Sequence, residues 1–553
     1  MISFFLASVL SINADAKDQV PANAKDQTPA NAKDQVPANA KDQVPANAKD
    51  QNLAHTKLKP SRVEKDLCLY RYRIYTSSPL CQAFNDQGLA YLYSYAWMES
   101  ARSFETALKH DPDCVMAHIG LAKALDRWGK KSESTKVIKD AKRLEEKAAP
   151  NEKALLQATL VEYGLNENPP AAGEARQKAA ITIIDQALSQ YDDDQELWFT
   201  RAQIACNYAT FGGNASSTSF YKALLKINPL HPGANHELIH FYEGQQRPAL
   251  GWPHAEGYLN SSPGIHHANH MQAHLATRLG KWDKTSDRST KAVQLETAYH
   301  KEMNVKPSED HQFQHHVQTL LSSLTHDGRF KEATALNDIR PDKSKPSVAW
   351  FKFLLASRDY KAADTEAKKF LKTEKNTASY LLAILHLAQN DPESAMPWVE
   401  SLQQAWATGK KEKQQEFRLW EVQGLMLAAQ GQYKLGARLL KRAIDKSKND
   451  YSHHAWGNGS IFMEKLGLIA LANKDFAEAE EAFLEALAHD PGSVHAALGL
   501  RRLCEVTSRK DESNDYAKLA LRCWHKADSG LLEKEWDIIR SLVSENGVPA
   551  AMR

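Results

Sequence analysis

Residues 467–491 read GLIALANKDFAEAEEAFLEALAHDP, and they decide the fold. Gly467, Ala470, Ala479 and Ala486 are small residues at helical spacing, which lets two antiparallel helices approach closely. Phe476 and Phe483 supply the bulk that fills the space between them. Asp490-Pro491 ends the second helix, because proline lacks the amide donor and its ring clashes with the preceding turn. The stretch is therefore a helical hairpin with a defined stop.

The same cadence recurs. Residues 88–112, GLAYLYSYAWMESARSFETALKHDP, carry Gly88, Tyr91, Phe104, Ala107 and Pro112. Residues 423–444 carry Gly424, Gly431, Tyr433 and Ala443, and residues 278–293 carry Gly280, Trp282 and Ala292. Pro229 and Pro263 mark two hairpin ends 34 residues apart (263 − 229 = 34). Weaker helical hairpins fill 115–165, 177–225 and 347–405. With these residues at that period, residues 80–540 resemble a tetratricopeptide-repeat (TPR) array. The chain is also similar to a broad group of bacterial TPR proteins in which a helix like NHELIHFYE precedes one like HHANHMQAH. The resemblance implies an all-α superhelix of stacked hairpins, an α-solenoid with a concave wall of first helices that takes a protein or peptide segment. It brings no reaction with it.

At 553 residues the chain exceeds one ordinary core, which agrees with a repeat array. Lys plus Arg number 70 against 68 Asp plus Glu, and no basic stripe with interleaved aromatics occurs, so nucleic acid is not the expected partner. No apolar run beyond the first twelve residues is long enough to span a bilayer. The start, MISFFLASVLSINADA, has an apolar run Ile2–Ile12 and the small-x-small pattern Ala14-Asp15-Ala16, and residues 1–16 read as a signal peptide of an exported protein, although the usual basic n-region is missing; without that leader the chain would be cytoplasmic. Residues 17–59 contain an octapeptide repeat, AKDQVPAN and its variants, whose only sizeable apolar side chains are Val20, Val36 and Val44. Such a unit cannot bury enough surface to offset its chain entropy, so a disordered linker is expected. Residues 60–345 then form an N-terminal array with a histidine-rich groove, and 346–545 a C-terminal array. Six cysteines leave two alternatives open: local disulfides (Cys68 with Cys81, Cys504 with Cys523) or free buried thiols.

Twelve of the 22 histidines fall between His231 and His316, a concentration that composition alone does not explain. Two HxxxH pairs stand one repeat apart: His236/His240 and His270/His274 (270 − 236 = 34; 274 − 240 = 34). Residues four apart share one helix face. With Ala273 and Ala276 at the packing positions, His267, His270 and His274 take the groove side of their helix, and His236, His240 and Glu243 take it one repeat earlier. Cys206 extends the column at the same step (240 − 206 = 34), and His315 approaches it from the following helix.

Equivalent helices lie roughly 8–10 Å apart, so imidazoles from neighbours can meet one ion, and His, Glu and Cys are zinc ligands. The metal-site candidates are therefore His236, His240, His270, His274, Glu243 and His267, for zinc or copper, with Cys206 and His315 as groove-binding residues. The competing reading is a polar recognition wall in which the same rings bind a peptide carboxylate or satisfy buried carbonyls. A second class of function attaches to His236-Glu237-Leu238-Ile239-His240, a literal HExxH in which Glu237 would activate zinc-bound water. Against that hydrolase, HMQAH in the next repeat has Met271 where the glutamate would stand. The reading favoured is an exported, non-enzymatic TPR scaffold with a histidine cluster.

Overall fold

The computed structural model describes residues 52–207, 212–340, 342–409, 413–449 and 458–543. The leader and nearly all of the octapeptide segment lie outside the described residues. Those described form twenty-five α-helices and no strand, within one compact unit, Asp50–Arg553. No helix among them is long and apolar enough to cross a membrane.

Two hairpins show why the array stacks. The Phe104 ring is wedged between Gly88 of its own hairpin and Gly120 of the next; a Cβ on either glycine would lie 2.7 or 2.4 Å from it. Phe483 repeats this between Gly467 and Gly499, where a Cβ would lie 2.5 or 2.3 Å away. In both cases the glycines are 32 apart (120 − 88; 499 − 467). One aromatic thus joins two successive hairpins, and that nearest-neighbour packing is what a solenoid's stability is made of.

The 34-residue register holds where the histidines are densest. Pro232–Gly244 and His266–Arg278 are both 13-residue helices, starting 34 apart. It fails on either side. Gln195–Ala205 starts 37 residues before Pro232, and Phe313–His326 starts 47 after His266, because the intervening helix Trp282–Met303 runs to 22 residues and the loop 304–312 that follows is longer than its counterpart 262–265.

The array curls until distant repeats touch. Helix Pro79–Tyr93 packs on Pro232–Gly244, and Gln312 Nε2 donates to the Ser94 carbonyl at 3.1 Å. Residues 64–72 lie across the same region, with Leu69 N donating to the Ser261 carbonyl at 2.6 Å. At the other end, Gly280 meets Gly492 so closely that a Cβ there would lie 2.8 Å from its nitrogen, and Gly280 has φ +67° besides. Only glycine tolerates both conditions. The wall on which the sequence places a concave groove is consequently roofed over at its histidine-rich part.

None of the six cysteines is in a disulfide and five of them are buried, so neither local pair is bridged. Cys68 Sγ lies 3.3 Å from Ser262 Oγ, and Cys81 hydrogen-bonds with Cys114.

Candidate metal centre

Eight imidazoles converge where the Tyr93–Trp97 turn, Pro232–Gly244, His266–Arg278 and the start of Phe313–His326 meet. They belong to His236, His240, His266, His267, His270, His274, His315 and His316; His315 is partly buried and the rest are buried. Ring centroids form a continuous chain: His236 to His240 4.8 Å, His236 to His267 4.8 Å, His267 to His270 5.6 Å, His270 to His274 4.4 Å and His270 to His315 4.5 Å. The six metal-site candidates are thus assembled in one place. The rings face the interior of the molecule, a difference from the open groove that helix phase suggests.

In each of three sets the donor atoms lie within 4.8 Å of one another: His236/His240/His267, His270/His274/His315 and His266/Glu296/His316. Fixed oxygen acceptors orient the key rings. His236 Nδ1 lies 2.6 Å from the Tyr93 carbonyl, which can only accept, so Nδ1 carries the proton and Nε2 presents a lone pair. His274 Nδ1 donates to Glu243 Oε2 at 3.1 Å. Glu243 Oε1 also accepts from Arg278 Nε at 3.1 Å, and its carboxyl is held far below the usual range: burial pushes it up, but His274 and Arg278 outweigh that. An imidazole whose far nitrogen donates to a carbonyl or carboxylate is how proteins fix metal-binding histidines. Glu243 is therefore an outer brace of His274, where the sequence offers it as a ligand.

Between the rings, His267 Nε2 and His236 Nε2 stand 3.0 Å apart, and His274 Nε2 and His270 Nε2 stand 2.8 Å apart. Gln312 Nε2 is 3.3 Å from His267 Nδ1 and donates to it, so His267 Nε2–H points at the His236 lone pair. Burial drives His236 and His316 down to about 3, and burial plus neighbouring imidazoles take His267 and His270 well below the ordinary value. These four rings are neutral at pH 7, the protonation state that ligates metals. His270 Nδ1 and His316 Nε2 are buried with no hydrogen-bond partner.

The third set escapes sequence reasoning. Glu296 comes from the long helix Trp282–Met303, whose length is the one available signal. Its carboxyl lies 2.8 Å from His316 Nδ1 and 3.3 Å from His266 Nδ1, and burial pushes it up to about 8. Tyr95, at φ +58°, lids the first set, stacking on His240 at 5.9 Å. Beside His266 a cavity of about 200 Å³ is lined by Glu64, Glu99, Glu302 and Asp310. Burial raises Glu64 to about 7 and Glu99 to about 8, so both are partly protonated near neutrality.

Two residues that the sequence pattern singles out take other roles. Cys206 caps the end of Gln195–Ala205, its thiol 3.3 Å from the Gln203 carbonyl, and it joins none of the three donor sets. The reason is the 37-residue step, which carries it past the helix end. Glu237 accepts from Tyr95 Oη at 2.8 Å and from Gly212 N at 2.9 Å. With both carboxylate oxygens held by fixed donors, it anchors the Tyr95 lid; the geometry does not aim it at a metal-bound water.

The TPR resemblance is confirmed by a family model, Tetratricopeptide repeat, which matches residues 85–149, 349–410, 422–496 and 464–528. The matched stretches carry tetratricopeptide repeats, and the fold is a TPR-like α-solenoid. No curated protein matches the sequence. Among solved structures it is similar to the human IFIT1 dimer with m7Gppp-AAAA and to the same dimer with PPP-AAAA, each at 13% identity, covering 87% of this chain and 99% of that one with a TM-score of 0.28. An IFIT1 monomeric mutant with Gppp-AAAA gives 13% identity, 86% and 99% coverage, and 0.28.

Proposed function

We propose that this chain is an exported TPR scaffold that holds a transition metal, copper or zinc, in its buried histidine cluster and binds a protein or peptide segment on its solenoid surface. One observation carries the metal reading: His236 and His274 turn Nε2 toward other imidazoles while their Nδ1 atoms donate to a carbonyl and a carboxylate. A peptide-recognition wall would need the rings accessible, and seven of the eight are buried. Imidazole suits both ions, and a buried site of clustered imidazoles offers several ring nitrogens to one ion. The leader Ile2–Ile12 with Ala14-Asp15-Ala16 supports export, and repeat surfaces support a peptide partner.

Elemental analysis of the full chain after zinc or copper loading tests the reading. Bound metal is expected in the wild type and in Glu237→Gln, and its loss in His240→Ala/His274→Ala with helical circular dichroism retained. A wild type that stays metal-free after loading overturns it. A metal-loaded wild type that hydrolyses peptides, with Glu237→Gln inactive, would move the protein to the hydrolase class instead.

A further inference from the structure

We infer that the cluster is a dinuclear centre. One ion faces His236, His240 and His267, its neighbour faces His270, His274 and His315, and the two share a small bridging anion such as hydroxide. This rests on the metal reading above and extends it to the number of ions, their pairing and the class of ligand between them.

The donor pattern is what repeats. Each set takes an HxxxH pair from the middle of one first helix and a single imidazole from the beginning of the next: His236/His240 with His267, then His270/His274 with His315. The single donors arrive 31 and 45 residues after the first histidine of their pairs (267 − 236; 315 − 270), and the longer helix Trp282–Met303 together with the longer loop 304–312 after it takes up most of the difference. Donor atoms within each set lie within 4.8 Å of one another. Three nitrogens around one ion at about 2.0–2.1 Å must all lie within ~4 Å of one another, so each set closes on an ion by a small contraction.

The two sets adjoin. His267 and His270 are 5.6 Å apart and His240 and His274 6.4 Å, against 5.8 Å for His274 and His315 inside one set. His316 lies at the seam, 4.0 Å from His270 and 5.8 Å from His267, and its buried Nε2 has no hydrogen-bond partner. The third set braces the seam: His316 Nδ1 hydrogen-bonds the Glu296 carboxyl at 2.8 Å, with His266 Nδ1 3.3 Å from its other oxygen.

Charge requires the anion. Two divalent ions would bring four positive charges that imidazole ligands do not offset, while Glu243, the carboxylate on His274, is already shared with Arg278. Burying uncompensated charge is costly, and a bridging hydroxide both lowers the net charge and fills the position that three-coordinate ions leave open.

The test uses the full chain loaded with Cu(II), with copper measured by elemental analysis and unpaired spin by electron paramagnetic resonance. Two coppers per chain are expected, with a spin count below half the copper because the bridged ions couple. Azide should add a ligand-to-metal absorption band. His240→Ala and, separately, His315→Gln should each retain one copper with full spin and unchanged helical circular dichroism. One copper per wild-type chain, or two with full spin, overturns the dinuclear inference and leaves the metal reading standing. No bound copper or zinc at all overturns both.

Discussion

Replacing Asp490 with alanine should open the contact that ties the end of the array to its middle. Asp490, 4% exposed, accepts from Trp282 Nε1 at 3.0 and 3.1 Å and from Gly492 N at 2.9 Å, and lies 2.9 Å from His326 Nε2. His326 in turn stacks on Trp282 at 3.8 Å. Removing one partner of a buried ion pair costs about 3–5 kcal/mol, since the other is left uncompensated. If that cost falls on opening this contact, amide exchange in 279–290 and 476–493 should speed up by between about a hundredfold and a few thousandfold, at ~1.4 kcal/mol per factor of ten.

The pH dependence has a definite sign. Burial lowers His326 but the Asp490 charge and hydrogen bond outweigh it, so its folded value is raised above 6.5. Its contribution is full below the unfolded value and is lost as pH rises through the folded one. Asp490 is lowered below 3.8, since His326 and Trp282 outweigh burial, so its contribution holds above that value and is lost as pH falls through the folded one. The gap between wild type and Asp490→Ala should therefore be widest between about pH 4 and 6.5 and shrink at higher pH. Hydrogen exchange read by mass spectrometry checks it. Exchange within threefold of wild type at pH 6, or a gap that is unchanged from pH 6 to 9, would refute the reasoning.

Two further outcomes are expected. Gly499→Ala places a Cβ 2.3 Å from the Phe483 ring and should lower stability by about 1–3 kcal/mol in urea; Phe483→Leu in the same chain should recover part of the loss, and simple additivity would show that the two do not share a contact. Glu243→Gln weakens the brace on His274 Nδ1 and should reduce metal affinity about 10- to 100-fold in chelator competition; unchanged affinity would remove Glu243 from the centre.

Much of the fold was legible because its rules are local. Gly467, Phe483 and Pro491 announce a hairpin from 25 residues, and the 34-residue step between His236 and His270 survives intact in the helices that carry them. Cys206 and His315 mark the edge of that legibility. The same step extrapolated backward puts Cys206 in register, but the helix before it is displaced by three residues (37 − 34), and the thiol ends in a cap. Extrapolated forward it would give His315 a lesser place, because nothing in the hydrophobic pattern alone says that Trp282–Met303 continues for 22 residues. Glu243 was found by its position, while its role needed Arg278 beside it.

Helix phase says which way a ring points but not what it meets there. For His236 the answer is the carbonyl of Tyr93, 143 residues earlier, and for His267 it is Gln312, 45 residues later. Those partners arrive only because the array curls, and curvature is a sum over many hairpins that no single repeat encodes. The consequence is energetic. A buried polar atom without a hydrogen bond costs about 1–3 kcal/mol, and this cluster holds such ring nitrogens on His270 and His316. A core selected only for packing would have filled those positions with leucine. Nitrogens kept buried, neutral and pointed at one another make sense as ligands, since coordination satisfies the lone pairs that the protein itself leaves unused.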